Sequence, residues 1–165
     1  MRNALPDPRR PALLTVVGVG NPWRGDDGAG LAVAERLEGR LPSGVVVLRR
    51  EGEPTGLIDA WDGAEAVWLV DAVRSGAAPG AVHRLDGSVD PLPAELFRGS
   101  THHLGVPDAV ELARAVGRLP GRVVVFGIEA ESFETGNALS PAVANAVEEV
   151  AERVVGEVEE CTRKP

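Results

Sequence analysis

The stretch GVGNPWRGDDGAG, residues 18–30, joins two segments of different periodicity and decides how the rest of the chain is interpreted. The apolar run before it, ALLTVV (12–17), is typical of a buried strand, and LAVAERLEGRL (31–41) after it repeats apolar residues at helical spacing. The junction is therefore a glycine-rich turn between a strand and a helix. It carries two adjacent acids, Asp26 and Asp27, and paired carboxylates favour a cation rather than a phosphate.

Valine-rich, strand-like segments alternate with helical segments along the rest of the chain. Strands are predicted at 12–18, 45–48, 66–73 and 122–128, with an edge strand at 80–85, and helices at 30–41, 54–62 and 105–117 and from Pro141 onward, capped by Ser140. Continuous apolar strands that alternate with helices indicate a parallel sheet covered on both faces. The predicted fold is a three-layer α/β/α arrangement with a mostly parallel, twisted central sheet of about five strands, one of them an antiparallel edge strand.

The composition fits a single globular domain. The chain has 165 residues, 44% of them apolar, which is enough for one sizeable core. We divide it into a flexible N-terminal arm (1–11), a single α/β domain (12–158) and a C-terminal tail (159–165) that holds the lone cysteine, Cys161. One cysteine excludes an intrachain disulfide and a cysteine-based zinc site.

Charge and hydropathy limit the classes of partner. The formal net charge of −8 argues against a nucleic-acid partner, because phosphate binding needs clustered positive charge. The polar, proline-broken start does not resemble a signal peptide, and no apolar run approaches the roughly 20 residues of a membrane span. We therefore expect a cytoplasmic protein without a membrane segment, and a monomer.

The acidic residues follow strands that end at the same edge of the predicted sheet, where ligands bind in such folds. Asp26 and Asp27 follow the first strand, Asp71 lies near the end of the third, and His102 and His103 precede a helix. Two carboxylates and an imidazole suit a divalent ion such as nickel or zinc. Each residue also has a plain structural interpretation, since an aspartate can cap a helix and a histidine can be a surface residue. The same applies to His83, in the edge strand.

Two other chemistries fit less well. A dinucleotide loop would use Gly18 and Gly20, with Glu51 as the ribose-binding acid, but Trp23 stands where the third glycine belongs and the acid pair would repel a pyrophosphate. A P-loop is excluded because Lys164 is the only lysine. There is no G-x-S-x-G elbow for hydroxyl catalysis, and Ser100 beside the histidine pair does not make a triad.

Four motifs together resemble the hydrogenase maturation proteases, the endopeptidases that trim the large subunit of nickel–iron hydrogenases. They are GVGNPWRGDDGAG, WLVDAV (68–73), STHHLG (100–105) and GIEAESFETGNALSPAV (127–143). The resemblance extends from about residue 13 to residue 154. Two stretches depart from the family pattern: EPTG (53–56) replaces Gly-Thr-x-Gly, and Ala130 replaces the proline of G-I-E-P.

The resemblance implies specific roles for the acids and histidines. The metal that marks the substrate would be bound by Asp27, Asp71 and His102, with His103 at a variable position and Asp26 orienting the loop. Asp27 and Asp71 are also the candidate catalytic residues. They would act either as a general base or beside a metal that activates water, so that the peptidase is aspartic-type or metal-assisted.

The resemblance also implies the reaction and the partner. The enzyme would remove the C-terminal extension of a hydrogenase large-subunit precursor after nickel insertion. The substrate would supply the nickel, and no tightly bound intrinsic metal is expected. Two alternatives stay open at this point: another specific endopeptidase of a related fold, such as a spore-protein protease, or a non-enzymatic nickel-binding accessory protein.

Overall fold

The computed structural model describes residues 13–97, 105–136 and 138–164, so the predicted N-terminal arm, 1–11, lies outside the described residues. These residues form five strands and four α-helices. They are β1 (Leu14–Val19), α1 (Ala29–Leu37), β2 (Val46–Arg50), α2 (Pro54–Ala60), β3 (Ala66–Val73), β4 (Val82–Asp86), α3 (Val106–Ala115), β5 (Arg122–Glu129) and α4 (Pro141–Arg163). Two 3-10 helices, Gly25–Gly28 and Ala94–Phe97, were not predicted.

The strands form one sheet in the order β2-β1-β3-β5-β4. All neighbouring pairs are parallel except β4 with β5, which is antiparallel and lies at the edge. This confirms the predicted fold class. From β1 the chain builds the sheet outward in both directions, to β2 on one side and to β3 on the other. Such a reversal opens a crevice beyond the carboxyl ends of the two central strands, which is the usual ligand site of an open α/β sheet.

Helices cover both faces of the sheet. Helices α1 and α4 pack on one face, around the buried Trp68, and α2 and α3 pack on the other, around the buried Trp61. Every side chain of β1 and β3 is buried, as expected for central strands covered on both sides. Both indole N–H groups donate hydrogen bonds, from Trp68 Nε1 to Glu157 Oε2 (3.0 Å) and from Trp61 Nε1 to the Arg118 carbonyl oxygen (3.2 Å).

The glycines of the 18–30 stretch serve close packing. A Cβ at Gly30 would overlap the carbonyl oxygens of Val19 and Val70, so glycine lets α1 lie directly against β1 and β3. Gly20 has φ +153°, and a Cβ there would overlap the carbonyl oxygen of Asp27. The glycine pattern that resembles a phosphate loop is thus explained by the tight entry of the chain into α1.

Residues 159–163 of the predicted C-terminal tail are helical, because α4 continues to Arg163. Its last turns are stabilised by ion pairs between side chains four residues apart, Arg163 with Glu159 and Lys164 with Glu160. Cys161 is half-buried and packs against the core on the α1/α4 face, so it belongs to the folded domain. Within the described residues, no helix is both long and apolar enough to cross a membrane.

Candidate active site

The acid pair lies in the 3-10 helix that connects β1 to α1. Asp26 and Asp27 are only 1% and 3% exposed. The Asp26 carboxylate accepts hydrogen bonds from the backbone N–H groups of Glu131 (2.8 Å), Ser132 (3.0 Å) and Ser140 (2.8 Å), and from the Ser140 hydroxyl (2.9 Å). Asp26 therefore joins the loop after β1 to the segment between β5 and α4, which agrees with the predicted orienting role.

Backbone hydrogen bonds connect the same two segments. The Gly25 N–H donates to the Gly136 carbonyl (2.7 Å), and the Gly136 N–H donates to the Trp23 carbonyl (2.8 Å). The Asp26 N–H donates to the Ser132 carbonyl (3.0 Å). The turn that carries the acid pair is thus held on its outer side by the chain that follows β5.

Ser140 and Pro141 occupy the predicted first positions of α4, but the cap differs from the prediction. Ser140 is the N-cap residue and Pro141 the first helical residue, yet the Ser140 side chain makes no capping hydrogen bond. Its hydroxyl binds Asp26 instead. The start of α4 is therefore fixed to the acid-pair turn rather than to its own first turn.

Asp27 and Asp71 form the inner part of the site. Asp27 Oδ2 accepts a hydrogen bond from the Asn21 N–H (3.1 Å), and Asp71, on β3, is 4% exposed. Burial raises the pKa of Asp71 well above its ordinary value, and the negative charge of Asp27 raises it further, against a hydrogen bond from the Ala72 N–H. The two carboxylates therefore interact at the carboxyl edge of β1 and β3, as predicted.

Asp71 projects from the face of the sheet that α2 and α3 cover, because side chains two residues apart on a strand lie on the same face. Leu69 and Val73, on the same side of β3, belong to the core under α2 and α3. Phe97 and Val106 belong to that core too, and they flank the stretch that contains both predicted histidine positions. His102 and His103 lie outside the described residues, so the choice of His102 as third ligand stays a prediction.

The sequence profile of the hydrogenase maturation proteases matches residues 32–157. This chain belongs to the hydrogenase maturation protease family. It is accordingly a peptidase, and thus a hydrolase, of the kind that acts in hydrogenase maturation.

Individual relatives agree with this assignment. The hydrogenase 2 maturation protease of Escherichia coli K12 is 32% identical over 89% of this chain and 91% of its own length. The hydrogenase expression/formation protein HupD of Rhodobacter capsulatus is 29% identical over 84% of this chain and 68% of its own. Among solved structures, an E. coli endopeptidase superposes with TM-score 0.79 at 28% identity, covering 90% of this chain and 93% of its own. The HycI maturation protease of Thermococcus kodakarensis KOD1 superposes with TM-score 0.69 at 25% identity and the same coverages.

The described part of this maturation protease contributes two of the three predicted metal ligands. Among residues 13–97, 105–136 and 138–164, no group of three or more His, Cys, Asp or Glu side chains is arranged as a metal site. Asp27 and Asp71 supply carboxylate oxygens, which are suitable for a divalent cation but leave most of its coordination shell to other ligands.

Glu129, the glutamate of the G-I-E motif, has a role that the sequence did not reveal. It is buried and accepts hydrogen bonds from the Ser75 N–H (2.7 Å), the Ser75 hydroxyl (2.9 Å) and the Gly76 N–H (3.0 Å). His83 Nε2 lies 3.1 Å from its Oε2. Burial raises the pKa of Glu129, but the hydrogen bonds of Ser75, His83 and Gly76 outweigh burial and lower it. Glu129 thus fixes the loop after β3 and is the hydrogen-bond partner of the His83 imidazole.

The two departures from the family pattern have local explanations. Glu53 caps α2, because its carboxylate accepts hydrogen bonds from the N–H groups of Thr55 and Gly56 (both 2.9 Å). Hydrogen bonds from the side chain and N–H of Thr55, then from Gly56, lower the pKa of Glu53. The Ala130 N–H donates to the Val73 carbonyl (2.9 Å), a bond that proline would lack. Ala130 therefore extends the attachment of β5 to β3 by one hydrogen bond.

Proposed function

We propose that this maturation protease removes the C-terminal extension of a nickel–iron hydrogenase large-subunit precursor after nickel insertion, and that it recognises the nickel carried by that precursor. The observation that carries the proposal is the buried pair Asp27 and Asp71. The negative charge of Asp27 opposes ionisation of the buried Asp71, and a divalent cation between the two carboxylates would remove that repulsion. The family assignment supports the same reaction class.

The choice of ligands explains why the metal would arrive with the substrate. Asp27, Asp71 and the predicted His102 would supply two oxygens and one nitrogen and no thiolate. Soft thiolates hold nickel strongly, and cysteines of the precursor would supply them. The protease alone would then hold nickel weakly, whereas a nickel ion fixed in the precursor would complete its coordination with the acid pair. Affinity for the precursor would in this way depend on nickel loading.

The same carboxylates can perform the hydrolysis. With nickel in the site, its positive charge would keep both carboxylates ionised, and an ionised carboxylate can act as general base toward water. We propose that Asp71 accepts the proton of the attacking water while the water oxygen adds to the scissile carbonyl carbon. Asp71 then returns the proton to the leaving amide nitrogen, and the C–N bond breaks. Nickel in the precursor, held by Asp27, would polarise the same carbonyl.

Single substitutions of the proposed ligands test the function. With a nickel-loaded precursor, Asp27→Ala, Asp71→Ala and His102→Ala should each lower the rate of extension removal by about 10²–10⁴-fold, measured by intact mass. His103→Ala is the matched control and should stay near the wild-type rate. Loss of activity in His103→Ala with normal activity in His102→Ala would show that the wrong histidine is assigned. A precursor left intact by the wild-type protein would indicate a binding protein instead. The monomeric state and cytoplasmic location stay predictions.

A further inference from the structure

Three of the described arginines, all at one edge of the sheet, make no ion pair with another described residue. Within the described residues, most arginines pair with a carboxylate, but Arg24, Arg50 and Arg74 do not. Arg24 follows β1, Arg50 ends β2 and Arg74 follows β3, so all three lie at the carboxyl edge of the sheet. These guanidinium groups lie beside the active site and have no carboxylate partner among the described residues, so they are available to bind a negatively charged group.

Two of these arginines converge on one aromatic residue. Arg24 Nε donates to the Phe133 carbonyl oxygen (3.4 Å), and the Arg74 guanidinium carbon lies 5.3 Å from the centroid of the Phe133 ring. Phe133 belongs to the segment that Asp26 attaches to the loop after β1. Arg24 and Arg74 are therefore placed together by three separate pieces of chain, those after β1, β3 and β5.

An exposed tryptophan completes this surface. Trp23 is 67% exposed, next to Arg24, on a fixed backbone. The backbone N–H of Trp23 donates to Asn21 Oδ1 (2.9 Å), and its backbone carbonyl accepts from the Gly136 N–H (2.8 Å). Exposed aromatic and arginine side chains on a rigid backbone are the composition of binding hot spots.

We propose that Trp23, Arg24 and Arg74 bind the C-terminal extension of the precursor, and that the two guanidinium groups bind a carboxylate of that extension. The inference rests on the proposed function. The cationic nickel centre of the precursor would bind at the acid pair. The neighbouring arginines repel positive charge and attract negative charge, so they complement a carboxylate in the part of the substrate beyond the scissile bond. The carboxylate is either an Asp or Glu side chain of the extension or its terminal α-carboxylate.

The test compares KM and kcat of Arg24→Gln and Arg74→Gln with the wild-type protein on nickel-loaded precursor. Each variant should raise KM about 3- to 10-fold, the range for loss of one charge-assisted bond at a half-exposed site, while kcat changes less than about 2-fold. Arg163→Gln, in the last turn of α4 at the opposite end of the molecule, is the matched control and should leave KM unchanged.

Altered precursors identify the source of the carboxylate. One arm replaces the Asp and Glu residues of the extension by Asn and Gln, and the other appends glycines to displace the α-carboxylate. The arm that removes the bound carboxylate should raise KM for the wild-type enzyme and abolish the further effect of the arginine variants. Wild-type cleavage with unchanged KM in both arginine variants would overturn this inference and leave the proposed function intact. Failure of the wild-type protein to cut any nickel-loaded precursor would overturn the proposed function itself.

Discussion

The adjacent acids Asp26 and Asp27 should respond differently to the same substitution: Asp26→Ala should lose stability, whereas Asp27→Ala should lose activity. Asp26→Ala leaves the backbone N–H groups of Glu131, Ser132 and Ser140 without their acceptor in a site that is 1% exposed. Each buried donor left unpaired costs about 1–3 kcal/mol. Allowing for partial entry of water, the free energy of unfolding should fall by roughly 3–6 kcal/mol, a large share of the ~5–15 kcal/mol of a typical domain.

Urea unfolding followed by circular dichroism measures this loss. With a slope of about 2–3 kcal/mol per molar urea, the midpoint of Asp26→Ala should fall by roughly 1–3 M. Asp27→Ala is the matched control, because it loses the bond from Asn21 but removes the charge that opposes ionisation of Asp71. Its stability should stay within about 1 kcal/mol of wild type, while its proteolytic activity is lost. Equal midpoints for Asp26→Ala and wild type would refute the assignment of Asp26 as the connection between the two segments.

Three further substitutions test other parts of the account. Folding raises the pKa of Asp71, so protonation of Asp71 stabilises the folded state. This stabilisation is complete below the unfolded-state pKa of about 3.9 and is lost as the pH rises toward the folded-state pKa. Asp71→Asn should therefore match wild type near pH 4 and exceed its urea midpoint at pH 7; a midpoint below wild type at pH 7 would contradict the sign. Gly30→Ala should cost about 1–3 kcal/mol in thermal unfolding, because the new methyl group overlaps the carbonyls of Val19 and Val70, and an unchanged melting temperature would contradict that packing. Glu129→Ala should lower stability by about 1–3 kcal/mol for each buried donor left unpaired, since the N–H groups of Ser75 and Gly76 lose their acceptor, and hydrogen exchange at Gly76 should accelerate; unchanged exchange would argue against its role in the loop after β3.

Much of the fold follows from local patterns because its central strands are covered on both faces. Residues 66–73 were predicted as a strand and form β3 over the same residues, since a continuous apolar run fits only the interior of such a sheet. The end of α4 was not predicted. Its last turns expose charged residues such as Glu159 and Arg163, which in sequence resemble a polar tail, and the ion pairs that extend the helix depend on helical geometry.

The inner acids of the site were predictable from topology, whereas their supports were not. Asp27 and Asp71 both follow or end central strands, and parallel strands bring such residues to one edge. The partners of Asp26 lie 105 to 114 positions away in sequence, and no local pattern indicates that contact. The role of Glu129 was not predicted for the same reason, because its partners come from another loop and another strand.

The dependence of cleavage on nickel in the precursor tests the central claim most directly. Precursor with and without inserted nickel is incubated with a molar excess of the metal-free protease, and the intact mass of the precursor is followed over time. The account predicts that only the nickel-loaded precursor loses the mass of its C-terminal extension, and that treating the protease alone with a chelator beforehand does not change this result. Equal cleavage of both precursors would contradict recognition through nickel and would leave a peptidase that reads only the amino-acid sequence of its substrate.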